Sequence, residues 1–421
     1  MSQGATAAVA PFQGADMKNG LEDRALARLI APNRVSDFAN EYWEKNPLIV
    51  QRGDRDYFAD VLSLEDIDKV LSELTFRRED MRVVDSLESV TQGDFMSGRE
   101  VDVAKVFSLF GAGASIVFER LDGKWPPLRH LCRAVEQEIR QPAQANVYLT
   151  PGSSHGRQSE KAQGLKRHYD THDVFVLQVA GSKTWRLFET ARQLPLKDEK
   201  PNPPDYAEME PVNTFDLEAG DTLYIPRGFV HEAEATEETS LHVTLGLISY
   251  TWKDLLIEAV DDLIRQDPLL RKSLPFGIGR DDKTRSEVLD SVVDCLRDSG
   301  AMGRAWSNIE NHFVQSRRPI LEGQLTQLAA LESIDAKTIV GPRATAMYEI
   351  EKREENVVLL FHGAEVAFPA FVEEALRYVS ETPSFRVTDI PGQLDENGRL
   401  VLVRRLTREG FLTVRNSSNG A

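Results

Sequence analysis

His168 and Asp170 stand one residue apart in the stretch HYDTHDVFVLQVAGSKTWRLF, and His231 sits near the end of a second stretch, GDTLYIPRGFVHEA. In an extended strand, side chains alternate faces, so an imidazole at 168 and a carboxylate at 170 project to the same side. Such a pair can fill two positions on a metal ion, and His231 is the candidate for a third. Two imidazoles and one carboxylate covering one face of an ion leave the other face open, which is the arrangement of non-haem Fe(II) oxygenases. His-x-Asp pairs are common, so the weight lies in what surrounds this one. His172 shares the face of His168 and Asp170 if the strand stays regular. It is placed either as a fourth nitrogen near the ion or, as is commoner, beside the ligands or at the mouth.

Strands must deliver these groups. The His168–Asp170 pair runs into an apolar segment, Val174 to Val179, followed by a turn at Gly181-Ser182. His231 follows Gly220-Asp221, a strand over Thr222–Ile225 and the turn Pro226-Arg227-Gly228. Strand, turn, strand with ligands near strand ends is what a small double-sheeted barrel uses to focus side chains inward. Upstream, Asn146, Tyr148 and Thr150 share one strand face and Val147 and Leu149 the other. That polar face either lines the pocket or satisfies local backbone. Ser240, His242 and Thr244 form a similar polar face just after His231, read as barrel lining with cofactor contact as a further option.

The two stretches together resemble the JmjC-type cupins, and within them the ribosomal-oxygenase branch, which hydroxylates ribosomal proteins with Fe(II) and 2-oxoglutarate. The resemblance implies metal-ligand roles for His168, Asp170 and His231. It implies that Lys183, in GSKTW, anchors the distal carboxylate of 2-oxoglutarate; a cation at the end of a closed pocket can hold it by a charge-assisted bond. It also supports Asn146 and Tyr148 as contacts to cosubstrate or substrate, with His172, Ser240 and His242 as surrounding groups. Lys183 argues against the Mn or Zn of an isomerase-type cupin. The F…YW..NPL entry around Phe38, Tyr42, Trp43 and Pro47 is similar to the family's N-terminal edge. One segment departs from the pattern: the connection between Pro151 and His168 is longer than the short loop the family leads one to expect. It is a candidate lid, with Arg157, Lys161, Lys166 and Arg167 against Glu160. The facing segment 195–212 carries five acids and two lysines, the opposite bias.

The rest of the chain divides around this centre. Residues 1–23 are expected to be a flexible tail, without the charged head and apolar block of a signal peptide. Residues 24–250 form the cupin domain. Within it helices are expected over 64–75, Asp102–Leu109 and Pro126–Ile139, and strands at Leu48–Val50 and Ala114–Glu119. His130 lies off the apolar stripe of its helix and is expected to be solvated. Residues 251–337 show helical periodicity, at Leu255, Leu256, Val260 and Leu263 and again at Val288, Val292, Cys295 and Leu296. In the resembled family such a block makes a homodimer; a helical linker packed on its own barrel is the other reading. Residues 338–421 alternate short strands and helices, with a helix over Pro369–Glu381, strands at Tyr348–Lys352, Asn356–Phe361, Leu400–Arg404 and Phe411–Val414, and a turn at Leu394–Gly398. This resembles the winged-helix module that closes ribosomal oxygenases. The expected fold is thus α+β: a double-stranded β-helix, a helical region and a winged-helix-like domain.

Composition narrows the function. The formal net charge of the 421 residues is −17, which argues against nucleic acid and suits a basic partner such as a ribosomal protein, or simple solubility. Even the C-terminal segment from 386 has only six Arg against four Asp and Glu, no convincing DNA footprint. No apolar run is long enough to span a bilayer. Two cysteines far apart, Cys132 and Cys295, build no disulfide framework or thiolate site and fit a cytoplasmic protein. With the resemblance above, the sequence is read as a 2-oxoglutarate- and Fe(II)-dependent dioxygenase hydroxylating a protein side chain, that of a ribosomal protein by the same resemblance. The alternatives are a hydroxylase or demethylase of another peptide or natural-product substrate, and a non-catalytic metal-binding cupin scaffold.

Overall fold

Alternation in the sequence becomes two facing antiparallel sheets in the structure, a computed structural model that describes residues 25–85, 90–152, 165–274 and 282–415. The expected N-terminal tail, and residues 153–164 of the candidate lid, lie outside the described residues. The larger sheet has seven strands in the order Leu48–Val50, Thr222–Ile225, Asp173–Ala180, Ser240–Leu247, Ala143–Thr150, Ser115–Phe118 and Met81–Val84. The smaller has four, Asn213–Glu218, Ser182–Thr190, Phe229–Ala235 and Leu165–His168. From Ala143 onward the chain passes back and forth between the sheets, with Ser182–Thr190 and Asn213–Glu218 the one consecutive pair that shares a sheet, the winding of a double-stranded β-helix.

Ala143–Thr150 shows why the sheets face as they do. Its period-two pattern sends Ala143, Ala145, Val147 and Leu149 into the main core and turns Asn146 and Tyr148 to the interior of the barrel. Asp173–Ala180 does not alternate and is buried on both faces, as an unbroken apolar run requires. Its Val174 and Val176 meet Trp185, Leu187 and Ala233 of the smaller sheet inside the barrel. The outer face of the larger sheet is covered by the N-terminal helices and by Pro126–Ile139, whose Leu128, Leu131 and Val135 are buried. Phe38 and Trp43 pack on Tyr224 as expected of core aromatics, with ring centroids 4.8 and 6.2 Å away.

Beyond the barrel run the helices Trp252–Gln266, Asp282–Arg297 and Ser299–Ser316. Leu255 and Ala259 of the first helix are buried with Ala305 of the third, while Leu256, expected on the same stripe, is exposed. The C-terminal part has its own core and two three-stranded sheets. Leu400–Arg404 is helix here, not strand: Asp395 caps Gly398 N at 2.7 Å and starts a helix over Glu396–Arg408. The Leu394–Gly398 segment is accordingly a helix start and not a hairpin turn. The β-branched residues mislead locally, because burying Leu402, Val403 and Leu406 on one helical face decides the matter. Pro369 ends a strand, Ala364–Pro369, that precedes the helix Glu373–Glu381. His130 is not freely solvated: its Nε2 lies 3.0 Å from Glu322 Oε2. Among the described residues no helix is long and apolar enough to cross a membrane.

Candidate metal centre and its cavity

The Leu165–His168 and Phe229–Ala235 strands pair so that His168 and His231 are directly opposite in register. Their ring centroids are 4.4 Å apart. The strand ends at His168, so Asp170 does not reach the site by strand alternation, as the spacing leads one to expect. It lies in the connection to Asp173, where its carbonyl accepts from Gly228 N at 3.0 Å and the chain curls back to the same point. Asp170 Oδ1 lies 3.9 Å from His168 Nε2 and Oδ2 lies 3.7 Å from His231 Nε2. One donor atom from each of the three residues lies within 4.8 Å of the other two. That is the span of donors around one small ion at bond lengths near 2 Å.

Each imidazole is oriented from behind. His168 Nδ1 lies 2.7 Å from the Lys166 carbonyl and His231 Nδ1 lies 3.0 Å from the Phe229 carbonyl. A carbonyl can only accept, so each Nδ1 carries the proton and each Nε2 presents a lone pair toward the centre. Burial and the neighbouring His168 depress His231 to about 4, so it stays neutral and ready to ligate. Burial opposes the charge of Asp170, but the imidazoles around it, His231 foremost, outweigh this and hold its carboxyl below the ordinary range.

The donor set fits a divalent transition ion with open positions. A cavity of about 60 Å³ opens beside it, lined by Asn146, Tyr148, Val176, Trp185 and Thr244 along with the triad. Toward solvent, His172 joins this space to a larger cavity of about 230 Å³ walled by Gln144, Leu196, Lys197, Ser249 and Lys253. His172 is thus common to the linings of both cavities. Asn146 lines the cavity and uses its side-chain oxygen to accept from Arg120 N at 2.9 Å. The phenol of Tyr148 lies beside Arg82, and burial raises it to about 12.

In the other direction the barrel closes on Lys183. Register places Lys183 opposite Ala235 and Leu217, on the interior face with Trp185 and Leu187. The side chain is fully buried and Nζ has no partner among the described residues. Burial alone brings its amine down to about 7. Ser240 does not line the cavity; it is buried and accepts from Gln178 Nε2 at 2.8 Å. His242 is fully buried, stacked on Tyr148 at 4.7 Å.

Sequence reasoning missed the brace behind the triad. Asp173 Oδ2 accepts from Arg227 Nη1 at 2.7 Å, Asp173 Oδ1 accepts from Tyr224 Oη at 3.1 Å, and Arg227 also pairs with Glu44 at 2.5 Å. This ties the turn before His231 to the start of the strand after Asp170. A charged residue heading an otherwise apolar strand was the available signal. Gly228 has φ +90°, and a Cβ there would stand 1.8 Å from the Arg192 carbonyl oxygen. Only glycine fits the turn that delivers His231.

An antiparallel double-stranded β-helix with two His and one carboxylate gathered at its open end is an arrangement shared with cupins of the metal-dependent oxygenase type. Residues 124–255 match the JmjC domain family. It is 26% identical to the bifunctional lysine-specific demethylase and histidyl-hydroxylase NO66 of Dictyostelium discoideum, over 93% of this chain and 82% of that protein. It is 28% identical to ribosomal oxygenase 2 of Mus musculus, over 80% of this chain and 76% of that one. The structure of YcfD, a ribosomal oxygenase from Escherichia coli, in complex with cobalt and 2-oxoglutarate superposes with a TM-score of 0.54 at 16% identity. That likeness covers 91% of this chain and 99% of that one. The resemblance to the ribosomal-oxygenase branch holds across nearly the whole chain, and the solved structure supports its fold.

Proposed function

We propose that this protein is a 2-oxoglutarate- and Fe(II)-dependent dioxygenase that hydroxylates a protein side chain, with a ribosomal protein as substrate. One observation carries the reading: the triad and the Lys183 amine, which has no partner among the described residues, occupy one barrel interior. Lys183 sits four residues along its strand from Leu187, the residue paired with His231, about 13 Å of backbone that the lysine stem shortens. A small dicarboxylate spans such a gap. Relatives named ribosomal oxygenase and histidyl-hydroxylase support both the reaction and the substrate class.

In this reading His168, His231 and Asp170 hold the iron through Nε2, Nε2 and a carboxylate oxygen. The iron with 2-oxoglutarate supplies the oxidising power to put oxygen into an unactivated C–H bond. The protein supplies position and dryness. Lys183 would neutralise the far carboxylate in the buried end of the barrel, where a charge-assisted bond is strong. Val176 and Trp185 wall the interior. Asn146 lines the cavity beside the triad, and His172 lines both this cavity and the larger one next to it. Residues 251–337 are read as a dimerisation region and 338–421 as a winged-helix-like domain, the first supported by Trp252 and Trp306, both more than half exposed. The expectations of a cytoplasmic setting and of no nucleic-acid partner remain part of this reading.

The test is succinate formation from 2-oxoglutarate with Fe(II) and ascorbate, paired with mass spectrometry of ribosomal proteins from cells with and without the gene. A gain of one oxygen on a ribosomal protein supports the reading. Loss of a methyl group from another peptide favours the demethylase alternative. No succinate from the wild type, with His168→Ala identical to it, leaves a metal-binding scaffold.

A further inference from the structure

The closed end of the barrel has two walls, and only one is accounted for by Lys183. Opposite it, the seven-stranded sheet presents one row of three residues, Tyr148, His242 and Gln178, in register across three strands. Five buried side-chain polar atoms on four residues of the two walls have no hydrogen-bond partner among the described residues: Lys183 Nζ, Trp185 Nε1, Gln178 Oε1, and both ring nitrogens of His242. A buried polar group left without a partner costs free energy, so such a cluster marks a place built for a ligand.

The row can be sorted by what each member offers. Tyr148 directs its phenol to Arg82. Gln178 spends its amide nitrogen on Ala180 O at 2.9 Å and Ser240 Oγ at 2.8 Å, and so presents only an acceptor. His242 is left as the donor on this wall. Its ring is fixed by the stack on Tyr148, with 7° between planes, and by the edge of Trp185 at 5.9 Å. A rigid, buried N–H without a protein partner among the described residues, opposite a buried ammonium, suits an anion with two oxygens.

We propose that His242 is a second anchor for the distal carboxylate of the dicarboxylate cosubstrate, donating from the seven-stranded sheet to one oxygen while Lys183 holds the other from the four-stranded sheet. The inference rests on the functional reading above. Burial, and then the nearby charge of Lys183, push the imidazole well below its usual range, so it stays neutral. A neutral ring contributes one N–H without a second buried charge, and one lysine then balances one carboxylate.

The experiment measures binding to the Mn(II)-loaded full-length protein by calorimetry, with two probes. 2-Oxoglutarate has the distal carboxylate; 2-oxobutanoate has the same keto-acid end and lacks it. The variants are His242→Phe, which keeps a ring against Tyr148 and removes both nitrogens, and His242→Gln, which restores an N–H donor. The expected result is a roughly 10- to 100-fold weaker 2-oxoglutarate affinity for His242→Phe. Binding of 2-oxobutanoate should change by less than about twofold, and His242→Gln should recover part of the loss. The unliganded His242→Phe protein should melt no lower than wild type, because two partnerless polar atoms are gone. Equal loss for both probes, or no loss for either, overturns the proposal and leaves His242 as packing. Failure of the wild type to bind 2-oxoglutarate at all is a different outcome, which removes the functional reading itself.

Discussion

A lysine buried without a counter-ion is held at a cost, and that cost has a sign that pH can reveal. In the unfolded chain the Lys183 amine titrates near 10.5, and in the folded protein near 7. Between these values the unfolded chain binds more protons, so the stability of the unliganded protein should rise as pH goes from 7 to 10.5. Below pH 7 both states carry the proton and the burial cost is felt in full. Lys183→Met should remove this part of the slope, read from urea unfolding at pH 7 and pH 9. The same shift predicts proton uptake when 2-oxoglutarate binds at pH 8, because a carboxylate beside the amine restores its charge. Calorimetry in buffers of different ionisation enthalpy measures that uptake, and Lys183→Met should abolish it. For the triad, His168→Ala and Asp170→Ala should each lose metal at a fixed low free-ion concentration, measured by elemental analysis after dialysis. The carbonyls behind His168 and His231 leave the remaining ligands in place, so folding should persist.

At the level of strands and turns, the delivery of His231 depends on the brace of Asp173, Arg227 and Glu44. Arg227→Met leaves the fully buried Asp173 carboxylate without its cation, and breaking such a pair from one side typically costs about 3–5 kcal/mol. Chemical unfolding should show a loss of that order, and restoring neutrality with Asp173→Asn in the same chain should recover part of it. What the sequence revealed at this level follows from how local each signal is. Thr222–Ile225 and Asn356–Phe361 are runs bounded by turn residues and appear with the expected limits. The triad was legible because His168 and His231 are strand residues paired across a sheet. The route of Asp170 was not, because the strand ends early and a curl replaces alternation. Lys183 read in isolation looks like a turn lysine; only the neighbouring strands reveal that it is buried. Leu400–Arg404 was misread because a distant core, not local propensity, selects helix.

On the scale of the whole molecule, the surface left uncovered by the barrel and its helices sets the last expectation. Trp252, Ile257, Leu289 and Trp306 are 72%, 50%, 61% and 55% exposed, all within the helical region. Single exposed apolar residues are ordinary, but two tryptophans with branched aliphatics in one segment fit a contact surface. A net charge of −17 would drive two copies apart at long range, so the proposed dimer would have to form by apolar contact and should strengthen with salt. Sedimentation equilibrium should therefore give about twice the 47.3 kDa chain mass at moderate salt. Trp306→Glu places a carboxylate in the proposed interface and should return the protein to the monomer mass. The triad and Lys183 lie in the barrel interior, remote in fold from this helix, so dicarboxylate binding to that variant should stay within about twofold of wild type. A wild-type monomer at all concentrations would assign the exposed tryptophans to a different partner. Loss of dicarboxylate binding in Trp306→Glu would instead mean that assembly and the barrel interior are coupled.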